Sequence, residues 1–196
     1  LWANNAARNP SIGWNGLFNF YNNVVYNWVH RSIDGGDYQA TYNIVNNYFK
    51  PGPATPLNQP VSYRILKPES GRSKLPYVVF GRAHVKGNIV EGNEKVTANN
   101  WDGGVQLENK KGDAMTYAEA QPYFAAMSVK EPFPHASFPV MTAQETYGFV
   151  LEHAGATLPK RDPVDTRVVG DVKNGKPVKL LSNVKLPEKD FEHRRL

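Results

Sequence analysis

A short apolar run that ends in a pair of asparagines occurs twice near the start of the chain. The two copies are residues 20–27 (FYNNVVYN) and residues 43–49 (NIVNNYF). A looser third copy follows at residues 85–90 (VKGNIV). In that copy Asn88 takes the position that Asn23 and Asn47 hold in the first two. The repeated position indicates a structural unit that is used more than once.

The repeat predicts an all-β fold, a right-handed parallel β-helix in which successive coils stack on one another. Asn23 and Asn47 are 24 residues apart, a spacing that suits one coil of such a solenoid. Stacked asparagine side chains hydrogen-bond from coil to coil, which satisfies their buried amides. The alternative is two unrelated strands that have polar ends.

We expect the β-helix coils to occupy residues 1–110. The sequence Asp34-Gly35-Gly36-Asp37 is typical of an exposed turn between coils. The proline-rich residues 51–76 are predicted to be too irregular for strands and to form an excursion from the solenoid. The β pattern then resumes at residues 77–81 and 83–86, and a further short strand is expected within residues 101–107.

Residues 111–196 are predicted to form a C-terminal extension whose short helices pack on the solenoid. Two capping boxes mark helix starts, Thr116 with Glu119 and Thr142 with Glu145. Pro122 is expected to limit the first of these helices, and residues 130–141 to form extended chain along a surface. Asp162 followed by Pro163 predicts the start of a third helix that ends before Gly175.

Composition narrows the function classes. The chain has 196 residues, no cysteine and a formal net charge of +5, which excludes a disulfide framework and favours an acidic partner. No apolar run is long enough to span a membrane. A nucleic-acid partner is not expected, because neither a groove-reading helix nor an aromatic and basic motif is present. The basic stretches 173–189 and 193–195 are typical of a solvated face.

Metal and phosphate motifs are missing from the sequence. There is no phosphate loop, dinucleotide-binding glycine motif or nucleophile elbow. The five histidines are far apart and lack ligand spacing, so no metal site is predicted within the chain. Asp34 and Asp37 offer oxygen atoms that suit calcium, but the turn interpretation is favoured over a calcium loop.

The order of motifs resembles the second half of bacterial pectate lyases of the parallel β-helix superfamily. Residues 1–10 (LWANNAARNP) carry an Arg-x-Pro motif, and residues 20–28 (FYNNVVYNW) and 46–53 (NNYFKPGP) follow it in the order found there. Residues 147–169 are similar to the closing helices of the longer members. The resemblance is weakest in residues 54–130.

This resemblance implies calcium-assisted β-elimination on polygalacturonate, with Arg8 as the catalytic base. Calcium would acidify the proton that leaves C5 and would stabilise the enolate. Its ligands would lie upstream, on coils outside this sequence. Arg31 and Lys50 are expected to follow the repeated strands toward the same side and to bind galacturonate carboxylates; the alternative is plain surface charge. The second arginine usual after the proline is replaced by residues 11–13 (SIG).

Two hypotheses follow from these observations. The chain is the C-terminal part of a secreted or periplasmic pectate lyase, or it is a non-catalytic β-helix module that binds acidic polysaccharide. Either way, a solenoid that starts at residue 1 would expose unpaired strand edges. We therefore expect an upstream fragment, or a homo-oligomer, to cover the open end.

Overall fold

The computed structural model describes residues 1–13, 15–71 and 73–176. The strands are β1 (Trp2–Ala3), β2 (Asn15–Tyr21), β3 (Val24–Tyr26), β4 (Ile33–Asp34), β5 (Gln39–Val45), β6 (Tyr48–Lys50), β7 (Leu66–Lys67), β8 (Arg82–Lys86) and β9 (Ile89–Val90). The helices are α1 (Glu94–Ala98), α2 (Tyr117–Met127), α3 (Ala143–His153) and α4 (Pro163–Asn174), and a 3-10 helix spans Pro60–Tyr63. Within the described residues, no helix combines the length and apolar character needed to cross a bilayer.

The strands form three sheets in which every pairing between named strands is parallel. Sheet I contains β2, β5 and β8, sheet II contains β1, β3, β6 and β9, and sheet III contains β4 and β7. Single bridges from Ser11 to Asp34 and from Leu66 to Val105 extend sheet III on both sides. Because consecutive strands of the chain belong to different sheets, the arrangement is consistent with a parallel β-helix.

The stacked asparagines connect sheets I and II as the repeat predicts. The backbone N–H of Asn23 donates to Oδ1 of Asn47 at 2.9 Å, and that of Asn47 donates to Oδ1 of Asn88 at 2.9 Å. The side-chain amide of Asn88 donates to Oδ1 of a fourth residue, Asn100, at 3.0 Å. Asn47 and Asn88 are fully buried, so these bonds satisfy groups that water cannot reach.

The residue before each stacked asparagine turns the chain from sheet I to sheet II. Asn22, Asn46 and Gly87 all have left-handed backbone, with φ of 53°, 54° and 70°. Asparagine and glycine adopt this conformation more readily than other residues. A side chain at position 87 would collide with the amide of Asn46 in the preceding coil. This collision explains why the third copy reads Gly-Asn instead of Asn-Asn.

Two apolar clusters hold the chain together. The first fills the space between the three sheets, and its largest side chains are Trp28, Tyr42 and Phe49. The second lies on the outer side of sheet II, where helices α3 and α4 cover it; its buried members are Val24, Tyr26, Tyr48, Leu151, Val169 and Val172. Helices α3 and α4 therefore pack on the outer side of sheet II.

Several predicted strand positions are wrong. The proline-rich segment 51–76 contains strand β7, in which Leu66 pairs with Ile33 of β4. The prolines before and after Leu66–Lys67 lie outside the two residues that pair, so they do not prevent the strand. Residues 77–81 lie outside the strands, and residues 101–107 contribute only the bridge at Val105.

The helix starts are confirmed by their caps. Both capping boxes are present, at Thr116 and at Thr142, and Asp162 accepts from the N–H of Asp165. The expectation that Pro122 limits the first helix is wrong, because α2 continues through it to Met127. Buried contacts of Met127 and Ala120 with the interior offset the backbone bond that Pro122 cannot donate. Helix α1 was not predicted.

Residues 130–141 form the expected extended segment, which crosses sheet I. The side chain of Asn43 bonds both the N–H and the carbonyl of Phe133, at 2.8 and 2.9 Å. Further along, the side chain of Asn22 bonds both backbone groups of Met141. Most of the basic stretch 173–189 and all of 193–195 lie outside the described residues. The division of the chain near residue 110 stays a prediction.

Candidate active site

A cluster of alternating charges occupies the outer side of sheet III. Its members, called the charge cluster below, are Arg8, Arg31, Asp34, Lys67, Glu69 and Glu108. In β4 and β7 the residues Ile33 and Leu66 point into the apolar interior. The next residue of each strand therefore points outward, and these neighbours, Asp34 and Lys67, are paired in register.

Asp34 is the centre of the cluster. Its carboxylate is fully buried and accepts from Nη1 of Arg31 at 2.8 Å. Its other oxygen lies 3.4 Å from Nε of Arg8 and 3.4 Å from the hydroxyl of Ser11. The structure thus brings Arg8 and Arg31 together on one carboxylate. Both guanidinium groups therefore contact the same negative charge, and Arg31 also pairs with Glu69.

Arg8 has an unusual backbone. Five described residues other than glycine have positive φ, and four of them are asparagines; Arg8, with φ of 62°, is the fifth. A left-handed conformation costs such a residue of the order of 1–3 kcal/mol, and it persists where surrounding contacts enforce it. The side chain of Arg8 is 61% exposed. Strain of this kind occurs often at functional sites.

Asn9 holds Arg8 in place. It is fully buried, and its N–H donates to the carbonyl of Ser32 at 2.8 Å. Its side-chain amide donates to the carbonyl of Arg31 at 3.0 Å. These bonds fasten the loop that carries Arg8 to the segment that carries Arg31. The position of Arg8 is therefore set by the backbone of the next coil.

The inner end of the cluster is almost closed to solvent. Lys67 is only 2% exposed and forms ion pairs with Glu108 and Glu69. Glu69 also accepts from Arg31 at 3.3 Å, which joins the two ends. A buried charge needs such partners, because removing one leaves the other uncompensated. Lys67, Glu69 and Glu108 were not identified from the sequence.

The expectation that Asp34-Gly35-Gly36-Asp37 forms an exposed loop is wrong. All four residues are buried, and the N–H of Gly35 donates to the carbonyl of Lys67 at 2.8 Å. A Cβ atom at Gly35 would lie 2.6 Å from that same oxygen. Glycine is therefore required because the backbones of adjacent coils approach closely here. A close approach between distant residues leaves the same glycine signal in the sequence as a loop.

Lys50 does not join this cluster. It lies on sheet II, where its ammonium group is 3.3 Å from Glu91 and 3.3 Å from the hydroxyl of Tyr147. It also contacts the ring of Tyr147 on helix α3. The expectation that Lys50 and Arg31 lie on the same side is therefore wrong, since one residue ends β6 and the other precedes β4.

The described residues do not fit a calcium site. Asp34 is occupied by two guanidinium groups, and Asp37 accepts from the N–H of Gln39 at 2.9 Å. Among the residues that the structure describes, no group of three or more histidine, aspartate or glutamate side chains could hold a metal ion. Calcium prefers six to eight oxygen ligands, which this face does not provide.

Comparison with known proteins supports a pectate lyase-like family. No protein-family model matches the chain. The chain is 29% identical to a probable pectate lyase C of Aspergillus flavus over 188 residues, which covers 93% of this chain and 38% of the relative. A probable pectate lyase C of Aspergillus fumigatus is 28% identical over 181 residues, covering 89% and 35%. That of Aspergillus terreus is 29% identical over 181 residues, with the same coverage.

The chain spans little more than a third of the length of the curated relatives that it matches. These relatives are fungal, whereas the sequence motifs suggested bacterial ones. That the chain corresponds to a C-terminal part stays a prediction. The similarity covers about nine-tenths of the chain and supports a relationship to pectate lyase-like proteins.

Proposed function

We propose that this chain carries the proton-abstracting part of a secreted lyase that cleaves polygalacturonate by β-elimination, with Arg8 as the catalytic base. The observation that carries the proposal is the strained, exposed Arg8 held beside Arg31 and the buried carboxylate of Asp34. The similarity to probable pectate lyases supports the substrate class. We further propose that the three sheets close into a right-handed solenoid.

The proposed reaction needs one base and a stabilised carboxylate. Arg8 removes the proton from C5, the electron pair forms a double bond between C4 and C5, and the bond from C4 to the glycosidic oxygen breaks. The leaving oxygen then takes up a proton. A general base accepts a proton through a free electron pair, so the proposed step uses a nitrogen lone pair of the Arg8 side chain.

Arg31 has a supporting role in this proposal. It is 29% exposed and is held by Asp34 and Glu69 at 2.8 and 3.3 Å, so its guanidinium is oriented before substrate binds. A fixed positive charge near C5 stabilises the negative charge that develops on the substrate carboxylate. Calcium, which the family resemblance implies, would be held by residues other than those that the structure describes.

The open edges of the solenoid belong to the same proposal. Among the described residues, β1 and β2 have a strand neighbour on one side only. An unpaired parallel edge readily accepts a further strand. We propose that an upstream coil of the same protein, or a second copy of the chain, covers this edge. Light scattering that shows a soluble monomer of this chain would contradict the proposal for the isolated chain.

A second candidate function is a non-catalytic module that binds acidic polysaccharide. The observation that favours it is the exposed guanidinium of Arg8 beside Arg31 at Asp34, because charged guanidinium groups pair directly with carboxylates. In this case the arginines of the charge cluster bind uronate groups without chemistry.

An assay on polygalacturonate with calcium separates the two candidates. The unsaturated product absorbs in the ultraviolet, so elimination can be followed directly. We expect Arg8→Ala to lower the rate by about 10²–10⁴-fold, the usual range for loss of a general base. Arg167→Ala is the matched control, because Arg167 is an exposed arginine on helix α4. An unchanged rate in Arg8→Ala would overturn the catalytic role, and binding without product would support the second candidate.

A further inference from the structure

A cavity of about 300 Å³ has Arg64 in its lining. It lies between the 3-10 helix Pro60–Tyr63, residues 103–107 and the start of helix α2. This volume is at the lower end of the range for small-molecule sites. The cavity is therefore suited to one small ring and not to a large ligand.

The walls of the cavity are mainly apolar and aromatic. Val61, Val105 and Leu107 are buried members of the interior cluster and form part of its lining. Tyr63 and Tyr117 add aromatic rings, and Tyr117 is 50% exposed. Aromatic rings provide large, rigid contact area together with a polar tip. Such a wall suits the C–H face of a sugar ring.

One oriented cation lines the same cavity. Nε of Arg64 donates to Oε1 of Gln106 at 2.7 Å, and Nη1 donates to the carbonyl of His30 at 3.0 Å. Gln106 is itself fixed, because its amide donates to the carbonyls of Pro60 and Gly103 at 2.7 and 2.9 Å. A guanidinium that is held in place in this way is well suited to pair with a planar carboxylate.

Arg64 lies close to the segment that carries Arg31 of the charge cluster. Its Nη1 donates to the carbonyl of His30, the residue before Arg31, and its own carbonyl accepts from the hydroxyl of Ser32 at 2.6 Å. Burial lowers the pKa of Arg64, and the nearby charges of Glu108, Arg31 and Asp34 also act on it. A polymer that binds at Arg8 and Arg31 could therefore extend to Arg64.

We propose that this cavity is a uronate subsite, in which Arg64 pairs with the sugar carboxylate while Tyr117 and Tyr63 contact the ring. The inference rests on the proposed function, because it assigns the cavity to one unit of the same acidic polymer. Its specificity then comes from the guanidinium, and its affinity comes from the aromatic wall. The subsite contributes only when the bound oligomer is long enough to reach from the charge cluster to Arg64.

Calorimetric titration with galacturonate oligomers of increasing length tests this subsite. Tyr117→Ala is expected to weaken binding of long oligomers about tenfold, equivalent to about 1.4 kcal/mol, and to leave short ones unchanged. Tyr77→Ala is the control, because Tyr77 is also an exposed tyrosine and is not part of the cavity lining. Methyl-esterified long oligomers should bind the wild-type chain more weakly than the free acids.

The outcomes separate the subsite from the proposed function. If the wild-type chain binds long oligomers but Tyr117→Ala and Tyr77→Ala behave alike, the subsite is wrong and the proposed function stands. Equal binding of methyl esters and free acids would overturn the pairing with Arg64 and also the pairing of uronate groups with the arginines of the charge cluster. If the wild-type chain binds no oligomer of any length, the proposed function fails and the subsite fails with it.

Discussion

The outer sides of sheets II and III are built from the same kind of strand but serve opposite purposes. On sheet II the outward residues include Val24, Tyr26 and Tyr48, and helices α3 and α4 bury them. On sheet III the outward residues of β4 and β7 are Asp34 and Lys67, whose charges form a network. The inward residues of both sheets are apolar.

The difference shows how one coil geometry supports both stability and function. Each strand offers every second residue to the interior, which leaves the outward positions free to vary. Apolar outward residues require a cover, whereas the charged ones pair with other charges, of which Arg8 is exposed to solvent. Covering sheet II leaves one polar group unsatisfied. The hydroxyl of Tyr26 is buried without a hydrogen-bond partner among the described residues, and burial raises the pKa of Tyr26 to about 12.

The strongest test of the covered side is Leu151→Ala on helix α3. Leu151 is 2% exposed within the second apolar cluster, so truncation should lower the free energy of unfolding by about 2–5 kcal/mol. Phe149→Ala is the matched control, because Phe149 lies on the same helix and is 50% exposed. Urea unfolding measures the free energy of unfolding of both variants. Equal losses would mean that α3 does not stabilise the solenoid through this cluster.

A smaller decrease in the free energy of unfolding is expected from Asp34→Asn in the charge cluster. The substitution keeps the shape but leaves Arg8 and Arg31 without their shared carboxylate. We expect a loss of about 1–3 kcal/mol, as for a buried polar group that loses its partner. Asp102→Asn is the control, since its partner Lys95 is 71% exposed and ion pairs of exposed groups contribute little to stability. Thermal unfolding that shows similar losses for both variants would contradict a structural role for Asp34.

The smallest expected effect is a change in how the stability of the first turn of helix α3 depends on pH. The Thr142 hydroxyl and N–H donate to Glu145 and hold the pKa of that carboxyl below its usual value. The charged form is therefore favoured in the folded state, and its stabilisation is lost as the pH falls through the folded pKa. Glu145→Gln keeps the box but should remove this acid dependence.

Amide exchange in the first turn of α3, followed from neutral pH to below about 4, measures that dependence. Glu152→Gln is the control, because Glu152 is exposed near the other end of the helix. If amide exchange in the first turn of α3 depends on pH in the same way in the wild-type chain and in Glu145→Gln, the capping box does not respond to pH.

Local patterns predicted the parts of the fold that depend on neighbours in the sequence. The spacing of Asn23 and Asn47 was enough to predict their stacking, because the coil length fixes which residues lie above one another. The caps at Thr142 and Asp162 were equally visible, since a cap and its partner are three residues apart. The family resemblance, and not the pattern, singled out Arg8.

The charge cluster could not be predicted in full, because its members come from different coils. Asp34, Glu69 and Glu108 are separated by more than thirty residues each and have no common motif. Lys50 was misplaced for the same reason: its strand belongs to sheet II, and nothing in its local sequence separates one sheet from another.

The amino-acid sequence alone therefore determined the repeat, the asparagine rungs and the starts of the C-terminal helices, because each depends on a fixed spacing along the chain. Only the tertiary structure decided which charges meet, and that Asp34 lies buried between Arg8 and Arg31. The physical reason is that stacking brings together residues from successive coils, and the lengths of the connecting loops set which ones become neighbours.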